Sequence, residues 1–129
     1  MKEVVTVYKI LVCDDEIKIR ETFSDYLSAK GFDVTLAGNG EEAVRKTQEN
    51  DFDLIILDVM MPVMNGLEAS SAIRSLDRTD AKEIPIIAMT ANAFDDDVSK
   101  SIAHGMNDHL AKPVQPDKLF ATLGMYLGC

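Results

Sequence analysis

The chain contains no tryptophan and only two cysteines, Cys13 inside an apolar run and Cys129 at the last position. Two such positions make no disulfide framework and suit a reducing compartment, so the expected location is the cytoplasm. Basic residues are scarce too: 13 Lys and Arg stand against 22 Asp and Glu, for a net charge of −9. A surface of that sign repels nucleic acid and anionic membranes on average, which leaves cations and basic protein surfaces as the expected ligands. Long hydrophobic runs are missing as well. Charge interrupts the N-terminal stretch MKEVVTVYKILVCDD before it reaches signal-peptide form, and no run approaches the roughly 18 residues of a membrane span. There is no internal repeat, no low-complexity tract and no linker longer than a loop.

What remains is 129 residues with 47% hydrophobic content, enough for one core and too short for a second domain. Short apolar runs alternate with segments whose apolar residues recur at helical spacing, strand then helix, five times over. The runs predict strands at Lys9–Cys13, Phe32–Ala37, Asp53–Leu57, Pro85–Met89 and Asp108–Ala111. Several are continuous Val, Ile and Leu, as expected when both faces of a sheet are covered. The first predicted helix places Ile19, Phe23, Tyr26 and Leu27 on one face, with Lys18, Arg20, Glu21 and Asp25 elsewhere. The second opens with Asn39 and Glu42 at capping-box spacing. The third buries Ala69, Ile73 and Leu76 after Gly66, and the fourth buries Phe94, Val98 and Ile102 and stops at Gly105. The fifth starts at Pro116 and buries Leu119, Leu123 and Tyr126. Five βα units of this length imply an α/β fold with one doubly wound parallel sheet, helices on both faces, and function at the C-terminal ends of the strands.

Polar residues fall at that rim. Asp14 and Asp15 end the first strand, Asp58 the third, Thr90 the fourth and Lys112 the fifth. Singly, each reads as a solvated turn, a helix cap or a surface lysine. Jointly, five side chains from four strands track the strand ends too regularly for surface decoration. Three carboxylates within a few ångströms repel one another and raise at least one pKa, a cost relieved by a hard cation. An all-oxygen set suits Mg²⁺, whereas zinc would call for Cys or His, and neither His104 nor His109 has ligand spacing with the other or with Cys13. A carboxylate beside a divalent cation and an ammonium can receive a phosphoryl group, with Asp58 attacking in line. Met60, Met61 and Met64, beside Asp58, read as adaptable loop packing. The acidic run at 95–97 reads as first-turn carboxylates of the fourth helix.

The stretches KILVCDDE, DLIILDVMMPVMNG, IIAMTAN and HLAKPV, in that order and spacing, resemble the receiver domain of response regulators in two-component signalling. The likeness covers residues 8–127, is nearest to receivers of hybrid histidine kinases, and leaves 1–7 as an N-terminal extension or linker. It implies a flavodoxin-like sheet of order 2-1-3-4-5 with five helices. It also implies that Asp58 is the phosphoacceptor, taking its phosphoryl group from a phosphohistidine of a sensor kinase or a histidine phosphotransfer domain. Asp15 and Asp58 would ligate Mg²⁺ or Mn²⁺ directly, Asp14 mostly through water, and the backbone carbonyl of Met60 would add a ligand. Thr90 would be the switch hydroxyl, Lys112 its cationic partner, and the Lys112–Pro113 bond cis. Phosphorylation would alter the surface formed by the fourth helix, fifth strand and fifth helix, for partner binding, for onward transfer in a phosphorelay, or for a phosphorylation-dependent homodimer. Two positions depart from the family pattern: His109 stands where Tyr or Phe usually serves as the aromatic switch, and Gln115 replaces a better helix cap before Pro116. With no output domain after the fifth helix, the expectation is a stand-alone receiver or one cut from a hybrid kinase, a signalling phosphoacceptor and not an enzyme in its own right.

Three other readings compete. A Mg²⁺-dependent aspartyl phosphatase would carry DxDx[TV] after its first strand, where this chain has DDEI. A flavin carrier of this fold would need a Ser/Thr/Gly-rich phosphate loop in place of the acidic DDEIKIRE. A non-phosphorylated receiver-like binding module would keep the fold while losing one of the five rim residues, and none is missing.

Overall fold

The computed structural model describes residues 7–61, 64–90 and 104–128. Five parallel strands, β1 (Lys9–Cys13), β2 (Asp33–Ala37), β3 (Leu54–Asp58), β4 (Ile86–Thr90) and β5 (Asp108–Ala111), form one sheet in the order β2-β1-β3-β4-β5. Among the described residues four helices accompany them: α1 (Ile17–Ala29), α2 (Gly40–Glu49), α3 (Gly66–Arg74) and α4 (Pro116–Leu127). The last is the fifth helix expected from the sequence. The helix expected around Phe94, Val98 and Ile102, with its acidic run at 95–97, lies outside the described residues.

Strand alternation explains both layers, because successive side chains point to opposite faces. Leu11, Cys13, Ile55, Leu57, Ile86 and Ala88 pack with Ala43 of α2 and with Ala69 and Ile73 of α3. Their neighbours Ile10, Val12, Leu54, Ile56, Ile87, Met89 and Leu110 pack on the other face with Phe23 and Leu27 of α1 and with Leu119 and Leu123 of α4. The central strands β3 and β4 are buried along their whole length, the pattern of a sheet covered on both sides. No helix among the described residues is long and apolar enough to cross a membrane.

Several boundaries differ from the sequence reading, for physical reasons. The strand expected at Asp53–Leu57 runs Leu54–Asp58, because Asp53 clamps the adjacent strand instead of joining the ladder. Its N–H donates to the Lys9 carbonyl at 2.8 Å, and its Oδ2 accepts from Lys9 N–H at 2.8 Å. Asp58 then stands in register with Met89, and β4 likewise extends to Thr90, in register with Ala111. The β2 strand starts at Asp33, one residue later than expected. Leu76 lies past the end of α3, where Ser75 N–H turns back to the Ser71 and Ala72 carbonyls.

Side-chain caps fix the starts of α2 and α3 by satisfying orphan N–H groups, whereas α1 and α4 have none. Asn39 caps α2 by accepting from Glu42 N–H at 2.8 Å, but Glu42 reaches past Asn39 and accepts from Gly38 N–H at 3.2 Å. The reciprocal capping box forms at α3 instead, between Asn65 and Glu68. Directly after it, Gly66 lies against the end of β3: a Cβ there would sit 2.3 Å from the Asp58 carbonyl oxygen. Only glycine permits that approach. Gly66→Ala is expected to lower stability by about 3 kcal/mol, the upper range for overpacking, read as a reduced urea midpoint. An unchanged midpoint would mean that the start of α3 shifts freely relative to Asp58.

Candidate functional site

Parallel register brings the rim charges to one level. Cys13 pairs with Leu57, so the next residues, Asp14 and Asp58, leave neighbouring strands side by side. Asp14 continues the row of Ile10 and Val12, Asp58 that of Leu54 and Ile56, and Lys112 that of Leu110, all on the face covered by α1 and α4. Thr90 ends the adjacent strand, buried, with its carbonyl accepting from Lys112 N–H at 2.8 Å.

Lys112 Nζ sits between two acids, 2.9 Å from Asp14 Oδ2 and 3.0 Å from Asp58 Oδ2. Asp14 is fully buried and Asp58 is only 3% exposed. Asp14 Oδ1 accepts from Glu16 N–H at 2.9 Å, and Asp58 Oδ1 from Met60 N–H at 3.2 Å. The Lys112 contact to Asp14 Oδ2 is an ion pair without directed hydrogen-bond geometry, which leaves that buried oxygen without a hydrogen bond. One oxygen from each of Asp14, Asp15 and Asp58 lies within 4.8 Å of the others.

Burial raises the Asp58 carboxyl to about 6, with the Asp14 charge adding to the shift and the Lys112 hydrogen bond working against it. Burial opposes the charge on Lys112, but its close pairing with the Asp14 and Asp58 carboxylates prevails and holds its pKa above the usual lysine value. Cys13 is pushed up to about 12 by burial and then by Asp14 and Asp58. Its thiol stays protonated and points to the Asn39 carbonyl and to Met61 Sδ, at 3.2 and 3.5 Å. Among the described residues no soft ligand therefore joins the three carboxylates. An all-oxygen set with a buried oxygen lacking a hydrogen bond fits a hard divalent cation, Mg²⁺ or Mn²⁺, better than zinc.

The other residues singled out by sequence separate. Met61 is buried and Met64 packs against the core, as adaptable packing predicts, but Met60 is 74% exposed beside Asp58. His109, on β5, is partly exposed, with Nδ1 3.8 Å from Asp108 Oδ1. His104 bonds Ser71 Oγ through Nδ1 at 2.9 Å, away from the rim. The Lys112–Pro113 bond is cis, and Gln115 makes no side-chain cap at α4. Arg20, placed by periodicity on the polar face of α1, turns inward, its Nη1 donating to the Asp14 carbonyl at 2.7 Å. A basic residue six positions past an acidic strand end was the available signal.

Comparison with known proteins places this geometry in a family. The model of the response regulator receiver domain matches residues 10–124. Hybrid signal transduction histidine kinase I of Dictyostelium discoideum is 34% identical over 120 residues, covering 89% of this chain. The chain spans only 7% of that kinase's length. The chemotaxis response regulator CheY4 of Vibrio cholerae superposes with a TM-score of 0.88 at 37% identity, over 94% of this chain and 99% of that one. The receiver domain of a sensor histidine kinase from Pseudomonas aeruginosa, solved with a magnesium ion coordinated in its active-site cleft, superposes with a TM-score of 0.86 at 33% identity, over 96% of this chain and 100% of that one. Matched along nearly its whole length in sequence and in fold, the chain belongs to the response regulator receiver domains, which response regulators and hybrid histidine kinases of two-component signalling share.

Proposed function

We propose that Asp58 accepts a phosphoryl group from a phosphohistidine of a sensor kinase or a histidine phosphotransfer domain. The observation that carries this reading is Lys112 Nζ held between Asp14 Oδ2 and Asp58 Oδ2, with Asp15 completing the acidic cluster. An Asp58 oxygen attacks phosphorus, the P–N bond breaks, and its electron pair leaves with the imidazole. Lys112, already beside the attacking carboxylate, pairs with the phosphoryl oxygens, and the Thr90 hydroxyl, from the residue that ends β4, follows as the switch. Asp15, Asp58 and the Met60 carbonyl, with Asp14 mostly through water, would hold a divalent cation, which would supply charge neutralisation for the transferred group.

The partner reading has its own support. Ile17, two residues past Asp15, and Met60, two past Asp58, are exposed, and an apolar cavity of about 280 Å³ beside Lys112 is lined by Phe23, Tyr26, Pro113 and Val114 among others. Such a rim suits the amphipathic helix that carries a reactive histidine. Residues 8–127 are taken as the functional unit, with 1–7 as an extension, acting in the cytoplasm on protein partners and passing its state through the surface formed by the fourth helix expected from the sequence, β5 and α4, where His109 stands in place of the usual Tyr or Phe switch. A phosphorylation-dependent homodimer through that face belongs to the same reading.

Incubation with acetyl phosphate and Mg²⁺ is expected to add one phosphoryl group, seen by intact mass, and Asp58→Asn is expected to abolish it. Undiminished labelling of that variant, or of the wild type in excess EDTA, would contradict the mechanism. In EDTA the Asp58 charge is a stability burden of known sign. Its folded pKa, about 6, lies above the ordinary 3.8, so the folded state binds the proton more tightly and loses stability as pH rises through that window. Asp58→Asn, neutral throughout, should therefore be more stable than wild type at pH 7 by on the order of 2 kcal/mol, with the gap closing towards pH 4. A gap that is constant with pH would rule out burial of the charge as its source. Mg²⁺ should raise the wild-type melting temperature by mass action, and the absence of a shift at millimolar metal would mean the acids hold no cation.

A further inference from the structure

We propose that Arg20 is a positioning residue for the cation site, acting through the peptide bond that joins Asp14 to Asp15; the proposal rests on the reading of those acids as cation ligands. The carbonyl that Arg20 Nη1 holds at 2.7 Å is that of Asp14, which belongs to the peptide linking the two residues. Fixing its plane fixes the direction in which the Asp15 side chain leaves the backbone. The rest of the turn is braced as well: Asp14 Oδ1 accepts from Glu16 N–H, and Arg20 N–H donates to the Glu16 carbonyl at 3.2 Å.

Asp15 makes this brace matter. It is exposed, and its side chain has no hydrogen bond or ion pair among the described residues, whereas Asp14 and Asp58 are each held by a backbone N–H and by Lys112. The Asp15 carboxylate nevertheless lies within the cluster. Its place there follows from its backbone, and Arg20 is the side chain that grips that backbone.

The opposite wall is equally fixed. A Cβ on Gly38 would come within 3.3 Å of Arg20 Nη1, so glycine leaves the guanidinium its room. Gly38 N–H is in turn held by Glu42 Oε2, and Glu42 pairs with Lys46 at 3.0 Å. Arg20 is thereby seated between α1 and the β2–α2 turn, with its donor aimed at the acidic peptide.

Charge and positioning predict opposite signs, which makes the inference decidable. A guanidinium near a cation site repels the cation, so its removal would tighten binding if charge alone acted. If Arg20 places Asp15, its removal weakens binding. Outer groups that orient metal ligands are typically worth 10- to 100-fold in affinity.

The test uses the full chain, stripped of metal and titrated with Mg²⁺ by calorimetry, with thermal unfolding in EDTA recorded in parallel. Wild type and Arg20→Met, Arg20→Lys and Gly38→Ala are compared. Arg20→Met should raise the Mg²⁺ Kd roughly tenfold. Arg20→Lys, which keeps a donor, should recover most of that loss, and Gly38→Ala, which crowds the guanidinium, should fall between. Equal or tighter binding by Arg20→Met overturns the proposal, as does a weakening that Lys does not rescue and that follows the loss of melting temperature in EDTA. Should Arg20→Met fail to fold, an unchanged Kd in Gly38→Ala overturns it. A wild type that binds no Mg²⁺ would sink the reading of the cluster as a cation site, a result distinguishable from failure of the Arg20 step alone.

Discussion

One ammonium group held between two buried carboxylates organises the rim of this sheet. Removing the lysine would leave two buried carboxylates uncompensated at a cost of several kcal/mol, so Lys112 holds Asp14 and Asp58 in place, whereas Asp58 can lose its charge while Lys112 keeps Asp14 as its partner. The pairing is also incomplete. One lysine faces three acids, Asp58 keeps a raised pKa despite its lysine, and a buried Asp14 oxygen lacks a hydrogen bond. Such a group is stable enough to persist and negative enough to favour a cation. A site neutralised within the protein would be better folded and less able to take a phosphoryl group.

The scaffold explains why the charges can be kept so close. In a parallel sheet, equivalent positions of neighbouring strands lie at one level, and the register carries Asp14 and Asp58 out of β1 and β3 together. Two apolar layers make the strands rigid, so their ends are fixed points for chemistry that tolerates little misplacement. Close approach completes the arrangement: α3 begins hard against the Asp58 carbonyl because residue 66 has no side chain.

The sequence is most legible where one physical signal dominates. Continuous runs such as Leu54–Leu57 can be satisfied only between two covered faces, so the strands, their parallel arrangement and the acids at their ends follow directly. Strand order comes from family resemblance, because local periodicity says nothing about which strands are neighbours. Boundaries differ from the sequence expectation by one residue at Asp53 and Thr90, where an aspartate clamp and the ladder register decide the matter and neither is visible in hydropathy. Asn39–Glu42 and Asn65–Glu68 share one spacing, and only the local backbone determines whether the glutamate folds back, so the pattern alone does not tell the simple cap at α2 from the full box at α3. Arg20 was hidden for a related reason: helical periodicity sorts it with the polar face, yet a long side chain at the edge of that face can reach back to a strand end.

The same geometry limits how a change at Asp58 can travel. Lys112 N–H is bonded to the Thr90 carbonyl, so the backbones of the two residues proposed to meet the phosphoryl group belong to one ladder and cannot separate without breaking it. Any response must then begin in side chains. Lys112 has two carboxylates to choose between, and a phosphoryl group on Asp58 would draw it from Asp14 towards the new oxygens. Asp14 is fully buried and cannot follow. A divalent cation held by the acidic cluster would compensate Asp14 once Lys112 was drawn away, which would tie the metal to the proposed switch as well as to the proposed transfer.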